Sequence, residues 1–293
     1  MMQKGRIHEG RGGLYTVVGQ DGQSFVLRAK NRFRRQGITP LVGDEVMYTP
    51  GRLDEHGWLE EILPRRSLSV RPPVANITQL LVTLAPEPAP DLLLADKLLL
   101  FAFRQDIRPV LVVNKSDLDR DLAPALQSAY SGAGVPVLAL SAANKVGLEA
   151  LGRLMEGQVN CFAGQSGVGK STLISALTGL MLETGEVSRR IRRGKQTTRH
   201  ITLLSHEGLL VMDTPGFSLL EMPDETEPEQ LRAFYPEFAP YQSGCRFEVC
   251  LHDHEPGCAV ESAVKNHLVD AGRLERYRQL LSQLKEKWSK RYD

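Results

Sequence analysis

Gly164-Gln165-Ser166-Gly167-Val168-Gly169-Lys170-Ser171 has the spacing G-x-x-x-x-G-K-[ST], the loop that cradles the phosphates of a nucleoside triphosphate. Its glycines let consecutive backbone N–H groups turn inward around an anion without Cβ clashes. The helix N-terminus that follows adds partial positive charge at the same point. Lys170 is placed to reach the β- and γ-phosphates and Ser171 to ligate Mg²⁺, with Thr172 continuing the cradle. Downstream, Asp213-Thr214-Pro215-Gly216 ends an apolar run, Leu209–Met212. An acid there supports Mg²⁺, and the Gly216 N–H is suited to sensing a γ-phosphate. Between the two lies Gly194-Lys195-Gln196-Thr197-Thr198-Arg199, a basic stretch suited to a switch. One of its threonines, taken here as Thr198, would ligate Mg²⁺ when triphosphate is bound.

A second group of residues addresses the base. Asn114-Lys115-Ser116-Asp117 follows the apolar run Pro109–Val113. The Asp117 carboxylate is able to accept hydrogen bonds from guanine N1–H and the 2-amino group. Adenine offers neither, and a buried unpaired acceptor penalises the wrong base. Ser141-Ala142 would complete the pocket with a backbone N–H to guanine O6. An ATP-dependent RNA kinase is therefore disfavoured by Asp117.

These motifs need a scaffold that gathers them at one edge. Residues 67–222 alternate apolar strands and amphipathic helices, which predicts a parallel sheet covered on both faces. The expected strands are 77–84, 109–113, 136–140, 159–163 and 209–212. The expected helices are 92–104 with Asp91 as N-cap, 148–155 and 172–177. The base-reading motif precedes the phosphate loop in the chain, whereas ordinary GTPases place it after. A circular permutation accounts for this, because spatial adjacency and not sequence order closes the site.

The chain has 293 residues, a net charge of +1, 42% hydrophobic and 24% charged residues, which suits a folded protein of two or three domains. The first residues lack the apolar core of a signal peptide. The richest apolar stretch, 92–103, is broken by Asp96 and Lys97 and is too short to span a bilayer. A cytoplasmic monomer with no membrane association is the expectation. Before the nucleotide domain, short apolar strands at 14–18, 24–27, 45–48 and 57–62 are separated by turns such as Asp21-Gly22, predicting a small barrel of the OB type. Arg28, Lys30, Arg32, Arg34 and Arg35 surround Phe33. This stretch reads as a loop that contacts RNA phosphates and stacks a base on Phe33.

In the tail, Cys245, Cys250 and Cys258 accompany His252 and His254. Three thiolates and one imidazole make a tetrahedral set for structural Zn²⁺. The helices expected at 261–267 and 271–287 carry Arg273, Arg276, Arg278, Lys285 and Lys287, with Lys290 and Arg291 just beyond. Together these form a candidate second RNA surface.

The permuted motif order, the barrel in front and the Cys/His cluster behind resemble the RsgA (YjeQ) family over essentially the whole chain. These are bacterial GTPases that assist late assembly of the small ribosomal subunit. The resemblance implies an α/β fold: a circularly permuted P-loop GTPase domain (70–222) between an N-terminal OB-type β-barrel (1–69) and a C-terminal zinc-binding helical domain (223–293). It implies GTP hydrolysis to GDP, stimulated by the small subunit, with rRNA contacts through barrel and zinc domain. It also places the metal-binding histidine at His252. The family often carries a histidine before the switch threonines to orient the attacking water. Here the residue is Gln196, the candidate for that role, and Phe217 stands where other GTPases have glutamine. Lys170, Gln196, Thr198 and Asp213 are thus the catalytic candidates. The nucleotide set is Asn114, Lys115, Asp117, Ser141, Ala142, residues 164–172 and Gly216.

Overall fold

The computed structural model describes residues 1–51, 55–180, 201–213 and 227–290. Five strands open the chain: β1 (Gln3–Arg11), β2 (Leu14–Gly19), β3 (Ser24–Ala29), β4 (Glu45–Thr49) and β5 (Gly57–Ile62). β1 pairs with β2, β2 with β3, β3 with β5 in parallel, β5 with β4, and β4 again with β1. That ring of pairings closes a barrel and removes its free edges. Alternate residues fill it: Ile7, Val17, Leu27, Val46, Tyr48 and Leu59 are fully buried. β1 was not among the expected strands. Its sequence carries a single large apolar side chain, Ile7, so no alternation announces it. Pairing on both sides makes it a strand regardless.

The stretch 28–35 departs from its expected loop. Asn31–Arg35 forms a short helix, α1, and Phe33 is buried in the barrel's core cluster. It is the one large apolar side chain in the stretch, and burying it is worth more than offering it to a base. Phe33 is therefore an anchor and not a stacking platform, while Arg28, Arg32, Arg34 and Arg35 remain exposed.

A hairpin of β6 (Leu68–Val70) and β7 (Pro73–Ala75) follows and spans the expected 69/70 junction. The expected 222/223 junction lies outside the described residues. The nucleotide domain then builds β8 (Gln79–Leu84), α2 (Leu92–Arg104), β9 (Arg108–Val113), α3 (Leu122–Ala129), β10 (Val137–Ala139), α4 (Leu148–Met155), β11 (Val159–Ala163), α5 (Lys170–Thr178), β12 (Thr202–His206) and β13 (Leu209–Asp213). The strand order is β10-β9-β8-β11-β13-β12, parallel except for β12. Side chains alternate across it. Leu80, Val82 and Leu84 pack with residues of α2 and α3, such as Leu98 and Leu126. Leu81, Val110 and Val112 pack with Leu151, Leu173 and Ile174 of α4 and α5 on the other face. Asp91 caps α2, its Oδ1 accepting from Leu94 N at 2.8 Å. Glu9 of β1 pairs with Thr202 of β12, so barrel and nucleotide sheet are continuous.

The C-terminal part comprises 3₁₀ turns at Pro228–Phe234 and Pro236–Phe238 and helices α6 (Ala239–Gln242), α7 (Ala259–Lys265) and α8 (Ala271–Ser289). Its core gathers Leu231, Tyr235, Phe238, Val260, Tyr277 and Leu281, and Leu100 of α2 joins the same cluster. Three arginines expected on an RNA surface are turned inward instead. Arg273, 1% exposed, donates to Asp96 Oδ1 and Glu237 Oε1, each at 2.6 Å. Arg276 Nε reaches Asp96 Oδ2 at 2.6 Å, and Arg278 Nε donates to His252 O at 2.9 Å. The Tyr130 hydroxyl also donates to Asp96, at 2.6 Å. The Arg273 guanidinium lies over the rings of Tyr130 and Tyr235 at 4.7 and 4.5 Å. Buried cations need buried anions, and Arg273 and Arg276 find theirs across the domain junction, while Arg278 ties α8 to the segment at His252 within the C-terminal part. Lys285 is likewise occupied, paired with Asp253 at 2.6 Å.

Asp96→Ala would leave two guanidiniums facing a void. It is expected to destabilise the protein by about 3–5 kcal/mol, read as a lowered urea midpoint. A midpoint equal to wild type would show that the network does not hold the junction.

Candidate active site and metal centre

The phosphate loop leaves β11, the strand between β8 and β13 at the middle of the nucleotide sheet. Its glycines are spatially required. At Gly164 (φ +133°) an added Cβ would run into the Thr83 carbonyl, and at Gly169 (φ +93°) into the Asn114 amide. The loop is thus pressed against the carboxyl ends of β8 and β9, the edge where such sheets bind ligands.

Asn114 closes the site. This amide is 2% exposed; its Nδ2 donates to Val168 O at 2.9 Å and its Oδ1 accepts from Ala142 N at 3.1 Å. One side chain thereby ties the phosphate loop to the Ser141-Ala142 segment. Ser141 is buried, and its backbone N–H and Val146 O pair at 3.0 Å in a tight turn. Lys115, at φ +57°, lays its ammonium across the loop, donating to Gly167 O at 2.9 Å and Glu87 O at 2.7 Å. Asp117 is exposed on the same edge. Asn114 and Lys115 thus bring their motif against Ala142 and against Gly167 and Val168 of the phosphate loop, despite the inverted order along the chain.

Lys170 Nζ donates to Gly164 O and Gln165 O at 2.7 Å each. Burial lowers its pKa to about 8, a state that a phosphate dianion would reverse. Asp213, at the end of β13, has its carboxyl raised above the ordinary range by desolvation. A divalent cation beside it would offset that cost. Thr172 is exposed at the start of α5. Gln196, Thr198 and Gly216 lie outside the described residues. Gln165 does more than line the loop. Its Oε1 accepts from Asp91 N at 2.6 Å and its Nε2 donates to Ala89 O at 2.8 Å, clasping the start of α2.

Cys245, Cys250, His252 and Cys258 offer ligand atoms all within 4.8 Å of one another. His252 Nδ1 faces the sulfurs of Cys258 and Cys245 at 3.4 and 3.8 Å. Burial holds its imidazole neutral, with a pKa lowered to about 4, as a metal ligand must be. His254 is exposed and outside the cluster. Three thiols and an imidazole converging at this spacing fit a tetrahedral ion.

A family model described as RsgA GTPase matches residues 62–223, and one described as RsgA N-terminal domain matches 4–58. The chain belongs to the RsgA GTPase family. It is 43% identical to the Small ribosomal subunit biogenesis GTPase RsgA of Ruminiclostridium cellulolyticum, over 97% of this chain and 95% of that one. It is 41% identical to the RsgA of Geobacillus sp., over 98% and 99%. Among solved structures it resembles YjeQ from Thermotoga maritima, at TM-score 0.84 and 33% identity, over 97% of this chain and 99% of that one. It also resembles YloQ, described as a circularly permuted GTPase, at TM-score 0.81 and 30% identity, over 98% and 96%. A model described as 50S ribosome-binding GTPase matches residues 160–288. The chain is thus a circularly permuted GTPase with an N-terminal OB-like barrel.

Two features of this RsgA-family site were not foreseen. Asp96 stood out only as a charge interrupting an apolar helix, and the phosphate-loop clasp of Gln165 has no sequence signature. The Asn114 bridge yields a direct test. Asn114→Ala strips partners from two buried backbone groups, at about 1–3 kcal/mol each. Guanine-nucleotide affinity is expected to fall by roughly tenfold or more, measured by titration with a fluorescent GDP analogue. Unchanged affinity would mean the bridge does not shape the pocket.

Proposed function

We propose that this protein hydrolyses GTP to GDP and phosphate in the biogenesis of the small ribosomal subunit, stimulated by that subunit. One observation carries the reading: relatives named for that role match the chain from end to end, at 43% identity over 97% of its length. The 50S ribosome-binding description matches only residues 160–288, so it weighs less.

In this reading Asp117 selects guanine, Ser141 and Ala142 complete the base pocket, and residues 164–172 bind the phosphates. Lys170 stabilises charge that develops on the β–γ bridge. Ser171, Asp213 and Thr198 hold Mg²⁺, which supplies charge neutralisation at the phosphates when bound. Gln196 orients the attacking water, its amide offering both a donor and an acceptor. The Gly216 N–H reports the γ-phosphate. The barrel's exposed arginines bind rRNA, and the protein acts as a cytoplasmic monomer. Among the described residues no helix is long and apolar enough to cross a membrane. The Cys245, Cys250, His252 and Cys258 set holds one structural Zn²⁺, since thiolate and imidazole donors suit that ion.

GTP turnover is expected to rise on adding purified small subunits, and Lys170→Ala to lose several kcal/mol of transition-state stabilisation. Turnover indifferent to the subunit would sink the assignment; large subunits alone stimulating would move it to the other particle. Metal analysis is expected to find about one zinc per chain. Cys258→Ser should release it and unfold the tail. A folded, metal-free tail would refute the site.

A further inference from the structure

The barrel's outer wall carries an exposed indole. Trp58 of β5 is 45% exposed, and the chain's other tryptophan, Trp288, is half-buried on α8. The neighbours of Trp58 follow from register. Arg28 is its direct partner on β3 and Thr49 its partner on β4. Leu27 and Leu59, one residue along each strand, point into the barrel and are fully buried. Arg28 and Trp58 therefore share the outer face, because alternate residues on a strand point to opposite sides.

Cations outnumber free acids around the indole. Glu60 sits beside it, but Lys30 is paired with that carboxylate and Thr49 Oγ1 donates to it at 3.1 Å. The hydrogen bond from Lys30 holds Glu60 below the usual carboxylate range, and the charge of Arg32 adds to the effect. Arg32 is thus close enough to act at this wall. Its helix, α1, is fixed there by buried Phe33. Glu60 is thus neutralised, which leaves Arg28 and Arg32 against one other exposed carboxylate of β5, Glu61.

We propose that Trp58 and Arg28 form a stacking platform for an unpaired base of single-stranded RNA, with Arg32 holding its phosphates. An exposed aromatic ring flanked by guanidiniums accepts any base face, whereas a duplex hides its bases from such a wall. An acidic protein segment would satisfy the arginines but gain little from the indole. This places base contact on the outer wall of β3 and β5, and not on Phe33. It rests on the RNA-binding part of the proposed function.

The test uses the full chain carrying Trp288→Phe, so that Trp58 is the sole fluorescent indole. A short mixed-sequence single-stranded oligoribonucleotide is expected to quench Trp58 saturably. With affinity read instead by the anisotropy of an end-labelled oligoribonucleotide, Trp58→Ala should weaken that binding by roughly 5- to 150-fold, while Trp58→Phe retains most of it. Three results would overturn the platform: no quenching, equal quenching by duplex RNA or by a polyglutamate peptide, or unaltered affinity in Trp58→Ala. Subunit-stimulated turnover measured on the same protein separates the two claims. Quenching without stimulation fells the ribosomal assignment and leaves the platform standing; stimulation without quenching does the reverse.

Discussion

Asp96 is a carboxylate with no solvent exposure, on a helix otherwise made of leucine, alanine and phenylalanine at its buried positions. A charge in that position is tolerable only while Arg273, Arg276 and Tyr130 saturate it. Those partners come from two places, α3's end and the C-terminal helix α8. The network is therefore a condition on the tertiary fold and not a local decoration. Glu237 and the rings of Tyr130 and Tyr235 complete the shell around Arg273. The result is an almost fully desolvated cluster of two cations and two anions. Such a cluster adds little net stability compared with an apolar interface of the same shape. Its value lies in geometry, since a displaced register leaves charges unpaired.

The nucleotide site depends on a similar economy. Circular permutation separates the motifs along the chain, but the sheet order places β11 between β8 and β13 regardless of where the chain begins. What remains is to hold three loops in mutual register, and two side chains do so. Asn114 bridges the phosphate loop to Ala142, and Lys115 lies across the loop to the segment after β8. Both come from the motif that also supplies Asp117. On the proposed reading, base recognition and phosphate binding would be coupled because the motif at the end of β9 holds the loop at the end of β11.

The legibility of these features follows from the physics that makes them. Parallel strands buried on both faces announce themselves as apolar runs, so β8, β9, β11 and β13 were expected to within a residue or two. The Asp91 cap and the phosphate loop are local chemistry with fixed spacing, and both were visible. The strand β1 was not, because its stability comes from two neighbours and not from its own pattern. Phe33 and Arg273 misled for the opposite reason: a cation-rich context suggests solvent, yet a lone aromatic is worth burying and an arginine can be carried inward by acids far along the chain. Asp96 and Glu237 are those acids. No spacing rule links positions so distant. The cysteine cluster sits between these cases. Its donors were evident from sequence. The choice of His252 over His254 took the resemblance, and the structure reaches it by placing His254 outside the cluster.

The two networks meet on α2. Gln165 clasps its first turn through Ala89 and Asp91, and Asp96 stands little more than one turn further along. A helix interior is stiff over that length, so the phosphate loop and the C-terminal module hold the same rigid piece. The module is also joined to the nucleotide domain by the chain between Asp213 and Glu227. Two attachments restrict what either part can do alone. If the module moves and α2 stays, Asp96 loses its guanidiniums and a buried charge is stranded, a cost of about 3–5 kcal/mol. If α2 moves with the module, the two clasp bonds are lost, worth about 0.5–1.5 kcal/mol each, and Leu94, Leu98 and Leu99 also leave the core they share with Leu80, Val82 and Leu84, at about 1.5–3 kcal/mol per large side chain. Neither route is cheap. The buried ion cluster and the apolar seat of α2 therefore hold the module, α2 and the sheet as one body, with the phosphate-loop clasp fixed to the same helix.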